Sequence, residues 1–168
     1  ENNKKLTTVT IGSGCKTLPV SVFAGCSLLS NVTLPDGLIT ISDKAFANCV
    51  SLTSISIPGT VTSVGTVQAS SSSGNLTFYG CTALKSVRFE DGASDIILGS
   101  RFEPSSSTGS GLFVSCPLEE VYIGRNIKYQ DYGSSYHFAS YPGKYGYSAF
   151  YNKSKLAKVT IGENVSII

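Results

Sequence analysis

Charge is scarce in this chain. Only 14% of its 168 residues are Asp, Glu, Lys or Arg, and the net charge is +2. The basic residues are scattered, so no Lys/Arg run marks a surface for nucleic acid or an anionic membrane. No apolar run approaches the roughly 18–20 residues of a membrane helix. His137 is the single histidine. With Asp131 and Ser134 it makes a nucleophile–base set on paper, but a Gly/Ser-rich segment is a poor frame for catalytic geometry. A metal at Asp131 and His137 lacks further ligands at a recognisable spacing. No glycine-rich loop leads into a helix that would cradle phosphate. These absences point away from an enzyme and from a cofactor. The chain does not begin with methionine and has no signal-peptide-like apolar stretch, so it reads as mature or trimmed protein whose targeting segment is absent.

What is present is apolar, small and repetitive. Apolar residues make up 41%, with 17 glycines. Together with abundant Ser, Thr and Val, this suits short strands and turns. At this length one domain with a sizeable core is expected. A unit of Leu-x-x-Val/Ile-x-apolar, a turn, two apolar residues three apart, and Phe-x-x-Cys recurs. Six copies start at Leu6, Leu29, Leu52, Leu84, Leu118 and Leu156, the first two intervals being 23 residues. Such a period lies in the roughly 20–29-residue range of leucine-rich repeats. Val32 and Leu34, like Ile55 and Ile57, alternate at period two and face one side of a strand. Pro35-Asp36-Gly37 and Pro58-Gly59 end those strands. One coil cannot bury its own apolar edge, but stacked coils can.

The stretch Leu29 to Cys49, LSNVTLPDGLITISDKAFANC, resembles the BspA-like leucine-rich repeats of bacterial surface proteins, and the resemblance covers nearly the whole chain. It implies one domain over residues 1–168: a mainly β, right-handed solenoid of six short coils with parallel strands and three insertion loops. It also implies an exported protein at the cell surface or outside it, with roles in adhesion and host-protein contact. The chain departs from the pattern where Phe150-Tyr151-Asn152-Lys153 puts lysine in the cysteine position.

Three long intervals mark the insertions, at about 66–77, 97–112 and 131–149, carrying nine, twelve and fifteen surplus residues. The count assigns Ile96 and Gln130 to the position of Val64, and the surplus residues loop out. All three fall before the Phe closure, so stacking brings them to one side, where insertions often form the binding face. The third is rich in Tyr, Ser and Gly, a composition that pairs rigid aromatic contacts with adaptable neighbours. Tyr132, Tyr136, His137, Tyr141, Tyr145 and Tyr147, with Arg101 and Phe102 of the second insertion, are the candidate binding residues for a host extracellular protein or glycan. Plain solvated loops are the other reading, and a repeat spacer without its own ligand is the alternative function. The sixth repeat stops before its Phe, and a bare end invites end-to-end self-association.

Cys26, Cys49, Cys81 and Cys116 each follow a phenylalanine by three residues and share one ladder position. Parallel stacking at roughly 4.8 Å favours buried thiols over a disulfide, which wants Cβ atoms about 3.8 Å apart. Cys15 lies off the ladder. Residues 1–5, Glu-Asn-Asn-Lys-Lys, read as a frayed polar end. Asp36, Glu90, Asp91 and Glu163 read as solvated turn residues.

Overall fold

A computed structural model describes residues 1–69, 76–103, 108–129, 149–150 and 153–166. Every regular element among them is a strand. Each of the first five coils contributes one strand to each of two flanks, and the sixth contributes one to the first flank. The first flank holds β1 (Thr8–Thr10), β3 (Asn31–Thr33), β5 (Ser54–Ile57), β7 (Ser86–Phe89), β10 (Glu120–Ile123) and β12 (Lys158–Ile161). The second holds β2 (Thr17–Leu18), β4 (Thr40–Ile41), β6 (Ser63–Ala69), β8 (Ile96–Glu103) and β11 (Ile127–Tyr129), with β9 (Thr108–Gly111) antiparallel to β8. All other pairings are parallel. The first flank is broken between β3 and β5, leaving a pair and a four-stranded sheet. The chain is therefore a leucine-rich-repeat solenoid whose sheets do not close.

Alternation fixes the core. Ile55, Val87 and Val121 sit side by side in register, as do Ile57, Phe89 and Ile123, and all six are buried. Leu29, Leu52, Leu84 and Leu118 enter the same interior and have no exposed surface. Each such leucine contributes about 1.5–3 kcal/mol by leaving water.

The third side is the Phe-x-x-Cys closure. Phe23, Phe46, Phe78, Phe113 and Phe150 stack, with centroids 5.6, 5.6, 5.2 and 5.9 Å apart along the series. A backbone ladder runs beside the rings: Gly25 N–H donates to Ala47 O at 2.7 Å, and Asn48 N–H to Tyr79 O at 2.7 Å. These donors have φ of +72° and +60°. Asn2 joins the same ladder. Its φ is +56°, and its N–H donates to Ala24 O at 2.6 Å. The Asn3 side chain then accepts from Lys5 and Leu6 N–H, where Cys26 O accepts from Leu29 N–H. The N-terminal residues are thus not a frayed end. Glu1-Asn2-Asn3 occupy the closure turn of a coil position preceding the first strand. Asn2 and Asn48 also lie over the next coil's glycine: a Cβ on Gly25 or Gly80 would collide with their side-chain oxygens.

Two assignments of register change. Leu98, not Ile96, pairs with Val64, and Tyr129, not Gln130, pairs with Leu98. The connection from Phe89 to Leu98 is two residues longer than that from Ile57 to Val64 and three longer than that from Ile123 to Tyr129, so part of the surplus lies at Glu90–Asp95. Ile96 and Leu98 still both reach the core, because a strand returns to the same face every second residue.

Candidate interaction face

The first two insertions do not simply loop out. Residues 66–69 continue β6, and residues 99–103 continue β8 beyond the coil. Their register runs Val67 with Ser100, Gln68 with Arg101 and Ala69 with Phe102, after an irregularity between Val64 and Val67. β9 pairs on the other side of β8, setting Ser110 opposite Arg101 and Gly109 opposite Phe102. Arg101 and Phe102 therefore sit mid-strand in a three-stranded extension of the second sheet. The extension starts where Thr66 leaves the coil: its N–H and hydroxyl donate to the Asp43 carboxylate at 2.9 and 2.7 Å. That carboxylate replaces a further β4 residue and frees β6 to run on. Tyr132, Tyr136, His137, Tyr141, Tyr145 and Tyr147 lie outside the described residues. β11, which leads into that segment, pairs with β8 beside the extension.

The outward face of the first sheet is polar. Arg88 stacks over the Tyr122 ring, 3.6 Å from its centroid, and the Tyr122 hydroxyl donates to both Asp91 oxygens at 2.9 Å. The Asp91 carboxylate holds the Tyr122 phenol above its ordinary pKa. Lys85 pairs with Glu119 at 3.0 Å and Lys158 with Glu120 at 2.6 Å. Lys128 pairs with Asp95, and hydrogen bonds from Lys128 and Asn126 hold that carboxyl below the usual range. Half-exposed pairs of this kind contribute about 0–1 kcal/mol each. Glu90 and Asp91 are thus engaged turn residues, Glu90 accepting from Ser56 Oγ at 2.6 Å.

One buried and one half-buried cation escaped the sequence reading. Arg125, 1% exposed, donates to Gly59 O at 2.7 Å, Val61 O at 2.6 Å and Pro58 O at 2.8 Å. These carbonyls belong to the coil two below. The turn of the coil between packs on the same segment, Asp91 and Gly92 lying so close to Gly59 that neither glycine has room for a Cβ. Burial lowers the Arg125 pKa, and Glu90 opposes that shift.

The second is Lys153, whose place on the cysteine ladder was visible but whose role was not. The Cys49, Cys81 and Cys116 thiols donate to the Phe23, Phe46 and Phe78 carbonyls, each one coil back. Lys153 Nζ takes the next rung, donating to Phe113 O at 2.5 Å and to Val114 and Cys116 O at 3.0 and 3.3 Å. Burial lowers its pKa, and Cys116 pulls the other way. A cleft of about 240 Å³ beside it is lined by Val114, Ser115, Pro117, Leu118, Ser154 and Lys155. Lys153 has spent its three N–H donors on carbonyls, so it offers none to a ligand there.

The five cysteines are unbridged. Burial pushes the Cys49 and Cys116 thiols up to about 12, and Cys81 higher still. Protonated, enclosed thiols of this kind are inert. Cys15 is half-buried, with its thiol on Thr17 O. Among the described residues no three His, Cys, Asp or Glu side chains gather to hold a metal, and no helix is long and apolar enough to cross a membrane.

A family model described as "BspA type Leucine rich repeat region" matches residues 1–141 and 68–168, in six copies. No curated protein and no solved structure matches the chain.

Proposed function

From the premise that this chain belongs to the BspA-type leucine-rich repeat family, we propose that it is a non-enzymatic interaction module of the bacterial cell surface or its surroundings. The family is associated with bacterial surface proteins, and its repeats are generally binding or structural modules without catalysis. The proposed ligand is a host extracellular protein or glycan, held through the insertion flank.

The observation that carries this reading is the strand extension. β6, β8 and β9 project surplus residues beyond the coil on a frame continuous with the core sheet, and a contact surface needs such a frame to hold its geometry. Arg101 and Phe102 stand on that frame. The tyrosines of the third insertion, with His137, supply the aromatic contacts, in the segment that follows β11 in sequence.

The test is binding to an array of extracellular-matrix proteins and glycans. A version with residues 131–147 replaced by a short Gly-Ser turn runs beside the parent, together with the Arg101→Ala and Phe102→Ala variants. Binding that disappears in the altered proteins at unchanged melting temperature supports the flank as the site. Binding that survives all three changes overturns it. If nothing binds, the spacer reading replaces it, supported by the Phe stack and by the thiol–carbonyl bonds that join successive coils.

A further inference from the structure

The third coil sits unevenly between its neighbours. It is bonded to the second coil on two sides only. Along the closure Phe46 N–H donates to Thr77 O at 3.1 Å and Asn48 N–H to Tyr79 O at 2.7 Å, and on the second flank Thr62 N–H donates to Ile39 O at 2.9 Å. On the first flank no backbone bond joins β3 to β5. The next two junctions of that flank are bonded at both ends: Ser86 N–H to Thr53 O and Glu90 N–H to Ile57 O, then Glu120 N–H to Lys85 O and Gly124 N–H to Phe89 O. By the same register the N–H groups of Ser54 and Ser56 point at β3, and they find no acceptor there. Pro58 stands where Glu90 and Gly124 stand and has no N–H to donate. Proline alone does not open the seam, because Pro35 ends β3 in the same way and β1 still pairs with β3. Behind the seam Val32 and Leu34 are half-buried, where Ile55 and Ile57 are 3% and 0% exposed.

What draws the third coil away lies on its other side. Arg125, in the fifth coil, holds the carbonyls of Pro58, Gly59 and Val61. Gly59 nests against the fourth coil so closely that its Cβ would strike Asp91 O, and a Cβ on Gly92 would strike Gly59 O. Ser56 Oγ also reaches forward, donating to Glu90 at 2.6 Å. Backward, the same turn meets the second coil through a side chain: Thr60 Oγ1 accepts from Gly37 N–H at 2.9 Å and donates to Leu38 O at 2.8 Å. Backbone touches backbone ahead, and a threonine spans the space behind.

We propose that the seam between β3 and β5 is a hinge, held ajar by the grip of Arg125 on the third coil, on which the first two coils swing against the coils that follow. The closure and the second flank are the side that flexes. The Asp43–Thr66 contact lies on that bonded side, so the swing is separate from whatever the insertion flank binds. Releasing Arg125 lets β5 return to β3. The seam then gains backbone bonds while the chain as a whole loses stability, two changes of opposite sign from one substitution.

The test is amide hydrogen exchange and microsecond–millisecond relaxation dispersion by NMR on the whole chain. In the parent, the Ser54 and Ser56 amides should exchange about a hundredfold faster than those of Ser86 and Glu120, through local opening. Val32, Leu34, Ser54 and Ser56 should show dispersion, which reports motion on the timescale of hinges. In Arg125→Met, exchange at Ser54 and Ser56 should slow by about tenfold while the Leu84 amide exchanges faster. Arg125→Lys keeps the cation without the planar fork and should move the same amides in the same direction, which keeps the test open if the methionine variant does not fold. Ser54 and Ser56 amides as protected in the parent as Ser86 and Glu120 overturn the proposal. So does a seam without dispersion, or one whose exchange rates neither variant changes.

Discussion

The thiol ladder makes stability fall in alkali by an amount that can be worked out. Cys49 and Cys116 ionise near pH 12 in the folded chain, against an ordinary value of 9.0, and Cys81 lies beyond them. Unfolding exposes all three thiols, which then release their protons above pH 9. Below pH 9 both states hold these protons, and the ladder's contribution is intact. Above it the unfolded chain alone ionises, so stability drains away as pH rises and stops draining once the folded thiols ionise in turn. Each raised thiol removes about 1.4 kcal/mol per pH unit across that window. Three of them together remove about 4 kcal/mol between pH 8 and pH 10. That is a large share of the about 5–15 kcal/mol that holds a domain folded. Urea denaturation at pH 8, 9 and 10 reads it directly. A variant with Cys49, Cys81 and Cys116 all changed to alanine separates the thiols from the tyrosines and lysines that titrate in the same range. The parent should lose stability with pH much faster than the variant. Parallel slopes would refute the argument, because the alkaline loss would then belong to other groups.

The closure stack should be unequal along its length. Phe78 is fully buried between two rings, so Phe78→Ala should cost about 4 kcal/mol; Phe23, half-buried with one ring neighbour, should cost about half as much, both read from denaturant midpoints. Arg125→Met removes three hydrogen bonds, Pro58 O alone keeping the Val61 N–H as a donor, and should cost about 3 kcal/mol after the guanidinium's own desolvation is relieved; an unchanged midpoint would mean the carbonyls find other partners. Gly80→Ala meets both a φ of +73° and the Asn48 oxygen, and should cost about 2 kcal/mol. Placing it in an Asn48→Gly background should recover the part due to the collision, which a double-mutant cycle measures.

The coil architecture was legible because its signals are local. Leu-x-x-Val-x-Leu and Phe-x-x-Cys each fix a short segment, and copies at constant spacing stack without further instruction. The coil position of residues 1–3 was less visible, since Asn2 reads as a polar terminus until its φ and its bond to Ala24 place it beside Gly25 and Asn48. The long Glu90–Asp95 turn escaped for a different reason. Ile96 and Leu98 are both apolar and two apart, so counting from Leu84 could not decide which one stands beside Val64. Arg125 was hidden as well, because an arginine in a turn reads as solvated until the carbonyls two coils away are placed around it. The Ser/Gly composition around residue 108 reads as loop, yet Thr108–Gly111 pairs with β8, because a ladder of backbone bonds needs no particular side chain. Arg101 and Phe102 read as loop residues in the sequence and stand on a strand; the tyrosines and His137 lie outside the described residues.

A stack of coils held only by nearest neighbours comes apart like a zip, one junction at a time, from whichever end is pulled. Arg125 changes that rule at one place. Its guanidinium grips the turn at Pro58–Val61 from two coils away. The two junctions it straddles cannot open separately without tearing three hydrogen bonds, so they yield together or not at all. Under tension the chain would peel freely from each end and halt at this rivet, and the force needed there would be set by one buried side chain.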